Sequence, residues 1–290
     1  MTAALAARPA EVLAGAAARA RLAEAAASLA ADDLVAYLGP GLIDGAPLPT
    51  TPEAVAAALH ARAPAPSKIR TNMWSVAQFI EQRRHRRTLQ GFMTEVFAAP
   101  LEPTDFHRFL AGLPLSLVVD TWYDGTFAAA FHAAGRGEAI ELQGITRAGE
   151  TRDIWTKAYD AAGAEVPLER ADAAARVLYA PHGGVRPARN FLVSDADYVE
   201  ALTEIDIQSP IPATVQRRRA SRGFLFLGCR FHDQMLRTYA RQIMKRSAGP
   251  HHAVVDAAGL SRNEALFLAA QGITPIDLPL ADALAILMAP

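Results

Sequence analysis

The stretch Leu34-Val35-Ala36-Tyr37-Leu38 is apolar at every position and runs directly into Gly39-Pro40-Gly41-Leu42-Ile43. A strand with one wet face alternates apolar and polar residues. Five apolar residues in a row therefore predict a strand covered on both faces, as in a parallel sheet. A glycine turn at the end of such a strand lets the backbone approach a phosphate, because glycine accepts positive φ and carries no side chain to hold a ligand off. Asp44 stands where the third glycine of a dinucleotide fingerprint would fall, and no acidic residue closes a second strand in the expected place. The motif alone leaves a nucleotide site and an ordinary tight turn both open.

Five more apolar runs follow, at Leu115 to Val119, Val177 to Ala180, Phe224 to Leu227, Ala253 to Val255 and Ile273 to Leu278, with one further short strand at Ala139 to Leu142. Between them the apolar spacing is helical, as in Trp74, Val76, Ala77 and Ile80, then Leu89, Met93 and Val96, and later Phe231, Met235, Tyr239 and Ile243. Alternating buried strands and helices predict an α/β fold, a Rossmann-like parallel sheet of about six strands with helices on both faces. Residues 1–31 are alanine-rich and read as a packing or oligomerisation helix, with Pro9 in its first turn and Leu13, Leu22 and Leu29 on one stripe. Residues 32–290 form the sheet domain, with an inserted helical module at about 44–112 and a stretch at about 138–174 that carries no clear pattern. Ser194-Asp195-Ala196-Asp197-Tyr198 has the form of a capped helix start.

A chain of 290 residues with a net charge of −1 buries a large core and has no overall field to attract nucleic acid or an acidic membrane. The basic run Arg83 to Arg87 reads as a solvated helix face, with phosphate binding the less common alternative, and nucleic-acid binding through it and the second cluster, Arg217 to Arg222, is a minor one. The single Cys229 excludes an internal disulfide framework and a multi-cysteine zinc site, which fits a reducing cytoplasm. No apolar run approaches the ~20 residues of a membrane span. The acidic residues Glu11, Glu24, Asp32 and Asp33 do not suit a transit peptide. The expectation is a soluble cytoplasmic protein.

Four strand ends carry glycine or polar residues: Gly39-Pro40-Gly41, Asp120-Thr121-Trp122-Tyr123-Asp124, His182-Gly183 and Gly228-Cys229-Arg230. In a doubly wound sheet such ends lie along one edge and converge on one ligand. With Leu113-Pro114, with Leu192-Val193-Ser194-Asp195-Ala196-Asp197-Tyr198, and with Phe226-Leu227-Gly228-Cys229-Arg230-Phe231-His232-Asp233, they follow one another in a recognisable order. From about Leu34 to Leu287 the chain resembles the sirtuin-like (silent-information-regulator-like) NAD-binding family, in particular a bacterial branch that includes NAD-consuming defence domains.

The resemblance implies NAD or an ADP-ribose-like nucleotide bound across the strand ends. The candidate binding residues are then Gly39, Pro40, Gly41, Thr121, Trp122, Gly228 and Arg230; the resemblance implies His182 as the base, and Asp120 and Asp124 join it as catalytic candidates in a rearranged site. Cleaving nicotinamide from the ribose builds oxocarbenium character, which needs positioned polar groups and a base, the place His182 would fill. The chain also departs from the family pattern. Trp122 replaces an asparagine, Ile43 and Arg230 replace serines, and Pro40 removes a backbone N–H from the turn. Losing one positioned polar group at a reacting centre costs about 2.7–4 kcal/mol of transition-state stabilisation. A guanidinium at position 230 suits a phosphate, and the Trp122 indole either stacks on a ring or plugs the nicotinamide end. The expected function is a nucleotide binder with weak or no catalysis acting through a partner. The alternative is an active NAD glycohydrolase using His182. Deacylation is disfavoured, because sirtuins with a zinc module build it from four cysteines. A self-contained defence effector is likewise not expected of a chain ending at Pro290.

Overall fold

The parallel sheet is set by where the apolar runs fall. A computed structural model describes residues 11–146, 154–203 and 211–289. The chain begins with β1 (Leu13–Ala14) and α1 (Gly15–Ala30), then β2 (Leu34–Leu38) and a single 3-10 turn at Pro40–Ile43. Helices α2 (Pro52–Arg62), α3 (Met73–Arg84), α4 (Arg86–Val96) and α5 (Asp105–Gly112) precede β3 (Leu117–Asp120) and α6 (Thr126–Ala133). Next come β4 (Ala139–Gly144), β5 (Thr156–Tyr159), β6 (Glu165–Val166), α7 (Arg170–Ala173) and β7 (Arg176–Ala180). A small ribbon of β8 (Gly183–Gly184) and β9 (Asn190–Phe191) leads to α8 (Asp195–Thr203) and α9 (Ala213–Arg219). The last third is β10 (Gly223–Leu227), α10 (Gln234–Met244), β11 (His251–Val255), α11 (Arg262–Ala270), β12 (Ile273–Asp277) and α12 (Leu280–Met288).

The sheet order is β1-β12-β11-β10-β2-β3-β7-β4-β5-β6, parallel from β1 through β4 and antiparallel only at β5 and β6. The Rossmann-like α/β expectation therefore holds, but six strands undercounted the sheet. The short strand expected at 139–142 runs to Gly144 and takes a full parallel place beside β7. The two-residue β1 and β6 are too short to carry any periodic signal. The helix expected over 1–31 starts only at Gly15, while Pro9 lies outside the described residues. Ala18, Leu22, Ala25 and Leu29 of α1 are buried against the sheet and α12, so this helix packs within its own chain.

Because side chains alternate across a strand, Val35 and Tyr37 join one core with Phe224, Phe226 and helices α2, α3 and α4, whereas Leu34, Ala36 and Leu38 join the other with α1, α5, α6 and α12. In the first basic run Arg83, Arg84 and Arg87 are exposed, as expected of a solvated helix face, while Arg86 is not; in the second, Arg217 is exposed and Arg218, Arg219 and Arg222 turn inward. His85, at φ +71°, breaks α3 from α4, and Arg86 lies inward against Asp197, Glu81 and the Phe191 carbonyl. Arg218 donates to the carbonyls of Ser116, Ala171, Ala174 and Ala175; Arg219 donates to those of Gln242 and Ile243; Arg222 pairs with Asp32. These arginines satisfy helix and strand ends that burial would otherwise leave unpaired.

From β2 the chain forms β3 and then β4 to β6 farther out on one side, comes back to insert β7 between β3 and β4, and then crosses to β10, β11 and β12 on the other. The switch of direction lies between β2 and β10, where an open α/β sheet forms its ligand crevice. Register brings the strand ends level: Leu227 stands opposite Leu38, and Leu38 opposite Asp120.

Candidate functional site

Level strand ends put Gly39, Gly228 and Thr121 side by side. Gly39 N–H donates to the Leu227 carbonyl at 2.9 Å, and Thr121 N–H donates to that of Leu38 at 3.0 Å. The glycines are needed for the contact between the two turns. A Cβ on Gly39 would stand 2.5 Å from the Gly228 oxygen, and one on Gly228, at φ +65°, would stand 2.7 Å from Leu42 N. The backbone that approaches closely here is another backbone. Gly41 N–H donates to the Gly228 carbonyl, Leu42 N–H to that of Gly39, and Pro40 has no N–H, so the turn's early donors are committed within the protein.

Beside the paired turns lies a pocket of about 170 Å³. Its lining includes every residue expected to bind ligand: Gly39, Pro40, Gly41, Thr121, Trp122, Gly228 and Arg230. A larger hollow of about 570 Å³ lies over the ends of β11 and β12 and shares Gly41, Asp44, Gly228, Cys229 and Arg230 with the first. Asp256 and Asp277 add two more carboxylates to it.

Trp122 forms a wall of the smaller pocket with only 5% of its surface exposed. Its Nε1 donates to the Pro49 carbonyl at 2.8 Å, and its ring meets Phe97 edge-on at 6.1 Å. The indole thus has a partner, a loop carbonyl whose proximity no local pattern signals. Tyr37, Thr50, His232 and Leu236 also line the pocket, unanticipated from sequence because they read as strand, loop or helix residues.

Arg230 stands at the rim with its side chain 56% exposed. Its Nε donates to Glu264 Oε1 at 3.0 Å, and its Nη2 donates to Glu264 Oε2 at 3.2 Å and to the Gly259 carbonyl at 3.1 Å. Glu264 is fully buried and also accepts from the N–H groups of Phe231 and Ser261. Burial raises its pKa, but the Arg230 hydrogen bond and the Ser261 bonds outweigh it and bring the carboxyl down to about 2. Its only sequence signal is the Ser261-x-x-Glu264 pattern of a helix capping box.

The three residues expected to be catalytic are not among those lining either hollow. Asp120 accepts from Trp122 N–H at 3.2 Å; burial first, then the charge of Asp124, raises its pKa well above the usual carboxylate range. Asp124 accepts from Thr126 N–H at 2.8 Å, at the first residue of α6. His182 is 2% exposed. Its Nδ1 shares a 2.9 Å hydrogen bond with the Tyr198 hydroxyl, and Tyr198 and Tyr239 pack on its ring at centroid distances of 5.3 and 4.6 Å. Burial lowers its pKa to about 3, so the ring is neutral at physiological pH. Gly183, at φ +74°, is fixed by the Asn190 carbonyl, 2.2 Å from where a Cβ would sit, so the turn after His182 has a packing reason of its own.

Among the described residues no group of three His, Cys, Asp or Glu side chains is arranged to hold a metal ion, and no helix is long and apolar enough to cross a membrane. No curated protein matches the chain. The family model described as the SIR2-like domain matches residues 116–276, from the approach to β3 through most of β12. That match covers more than half of the 290 residues and takes in the strand ends carrying Thr121, Trp122, His182, Gly228 and Arg230, and the chain belongs to the SIR2-like domain family.

Proposed function

We propose that this chain is a sirtuin-like binder of NAD, ADP-ribose or a related nucleotide, that it turns the ligand over weakly or not at all, and that it acts through a protein partner in the cytoplasm. One observation carries the reading: the seven residues expected to bind line a single pocket at the switch point, while His182 is buried against Tyr198 and Tyr239 and is not among the residues lining it. A general base must reach the proton it takes, and the His182 imidazole is 2% exposed, with Nδ1 already engaged by the Tyr198 hydroxyl. Trp122, in place of a polar donor and acceptor, supports the same conclusion.

The test is to incubate purified protein with NAD and ADP-ribose, following nicotinamide release and thermal stabilisation together. Stabilisation without release supports the binder. Release that disappears in His182→Ala would replace this reading with a glycohydrolase working through His182, Asp120 and Asp124. Neither stabilisation nor release would remove the nucleotide from the account.

A further inference from the structure

A nucleotide laid across paired strand ends needs a group to meet its phosphates, and the turn that usually supplies it has its N–H groups engaged elsewhere. Gly39, Gly41 and Leu42 donate to Leu227, Gly228 and Gly39, and Pro40 has nothing to donate. One guanidinium borders both hollows, that of Arg230. Its Nε and Nη2 are held by Glu264 and the Gly259 carbonyl, and Nη1 has no hydrogen-bond partner among the described residues.

Resting on the nucleotide reading above, we infer that Arg230 takes over recognition of the ligand's phosphate from the glycine turn, and that Glu264 is the positioning residue that holds it there. The bidentate contact fixes the plane of the guanidinium, and the N–H bond from Phe231 ties the same carboxylate to the 228–231 turn. A guanidinium oriented in advance loses less freedom when an anion arrives. Asp44, Asp256 and Asp277 around the larger hollow oppose a phosphate deeper inside and suit hydrogen-bond donors instead. The anion is therefore confined to the edge that Arg230 guards. The ligand class that follows carries a phosphate between a compact ring-sized part and a hydroxyl-rich part.

Titration calorimetry with ADP-ribose, inorganic pyrophosphate and uncharged adenosine, on wild type, Arg230→Gln and Glu264→Gln, tests the assignment. Loss of a charge-assisted contact is expected to weaken ADP-ribose and pyrophosphate about 10- to 100-fold in Arg230→Gln, leaving adenosine unchanged. Glu264→Gln is expected to weaken the two anions several-fold and again to spare adenosine, whereas a purely structural role would weaken all three. If that variant does not fold, Arg230→Gln decides alone, since its side chain is half-exposed. Unchanged anion affinities in Arg230→Gln, or a wild type that binds neither anion, overturn the assignment. Arg230-dependent pyrophosphate binding with no gain for ADP-ribose would overturn the nucleotide reading and leave the assignment standing.

Discussion

The indole of Trp122 and the carbonyl of Pro49 are joined by a 2.8 Å hydrogen bond that pins the loop after the glycine turn to the end of β3. The bond closes one side of the smaller pocket with a ring that also packs on Phe97 and Tyr123. Trp122→Phe keeps most of the packing and leaves the carbonyl without its donor, an expected cost of about 1 kcal/mol. Trp122→Ala removes the ring and is expected to cost about 3–5 kcal/mol. Trp122→Asn brings back the family's side chain but is expected to release no nicotinamide, because His182 stays behind Tyr198. Denaturant unfolding checks the first two, and a nicotinamide assay the third.

His182 makes stability depend on pH in a calculable direction. Its folded pKa is lowered from 6.5 to about 3 by burial. The unfolded chain therefore takes up a proton below pH 6.5 that the folded one refuses. The stability linked to this group is fully present above 6.5 and is lost as pH falls toward 3. By pH 5 the loss should reach about 2 kcal/mol. Unfolding curves from pH 8 to pH 5 on wild type and His182→Gln should show a steeper slope for wild type; equal slopes would mean that the imidazole is reached by solvent.

How much of this was legible follows from which interactions are local. The runs at Leu34, Val177 and Phe224 announced buried parallel strands because burial on both faces removes polar alternation. The convergence of Gly39, Thr121 and Gly228 was legible too, since strand ends in such a sheet share an edge. Arg86 was misread because nothing within a five-residue basic run tells which side chain turns inward; Asp197, more than a hundred positions away, decides it. The burial of His182 was not legible for the same reason, its enclosure being supplied by Tyr198 and Tyr239 from two later helices. Glu264 carries only the local pattern of a helix cap, and its second role comes from Arg230, 34 positions away.

The Arg86–Asp197 pair is a second place where removing one partner should be costly. Nη1 of Arg86 lies 2.7 Å from Asp197 Oδ2, with the two side chains 12% and 3% exposed, and the same carboxylate oxygen accepts from Val193 and Ser194 N–H. Asp197→Ala leaves the buried Arg86 guanidinium with Glu81 as its one carboxylate and strands the Val193 and Ser194 N–H donors, and about 3 kcal/mol of destabilisation is expected. Adding Arg86→Met should cost less than its single effect, because the guanidinium that lost a partner goes with it. Additive losses in a double-mutant cycle would show that the two side chains act independently.

The packing of the two turns makes the sharpest test of why the glycines are there. Gly228 and Gly45 both have positive φ, +65° and +84°, but a Cβ on Gly228 would stand 2.7 Å from Leu42 N, and one on Gly45 would meet nothing within 4 Å. Gly45→Ala should therefore show the backbone strain alone, about 1–2 kcal/mol. Gly228→Ala should show that strain plus the collision, about 2–4 kcal/mol, and should also force the turns apart at the pocket rim. Urea unfolding of the two variants isolates the contact as their difference. A difference near zero would mean that the turns separate at no cost, so that Gly39 and Gly228 are kept small by something other than each other.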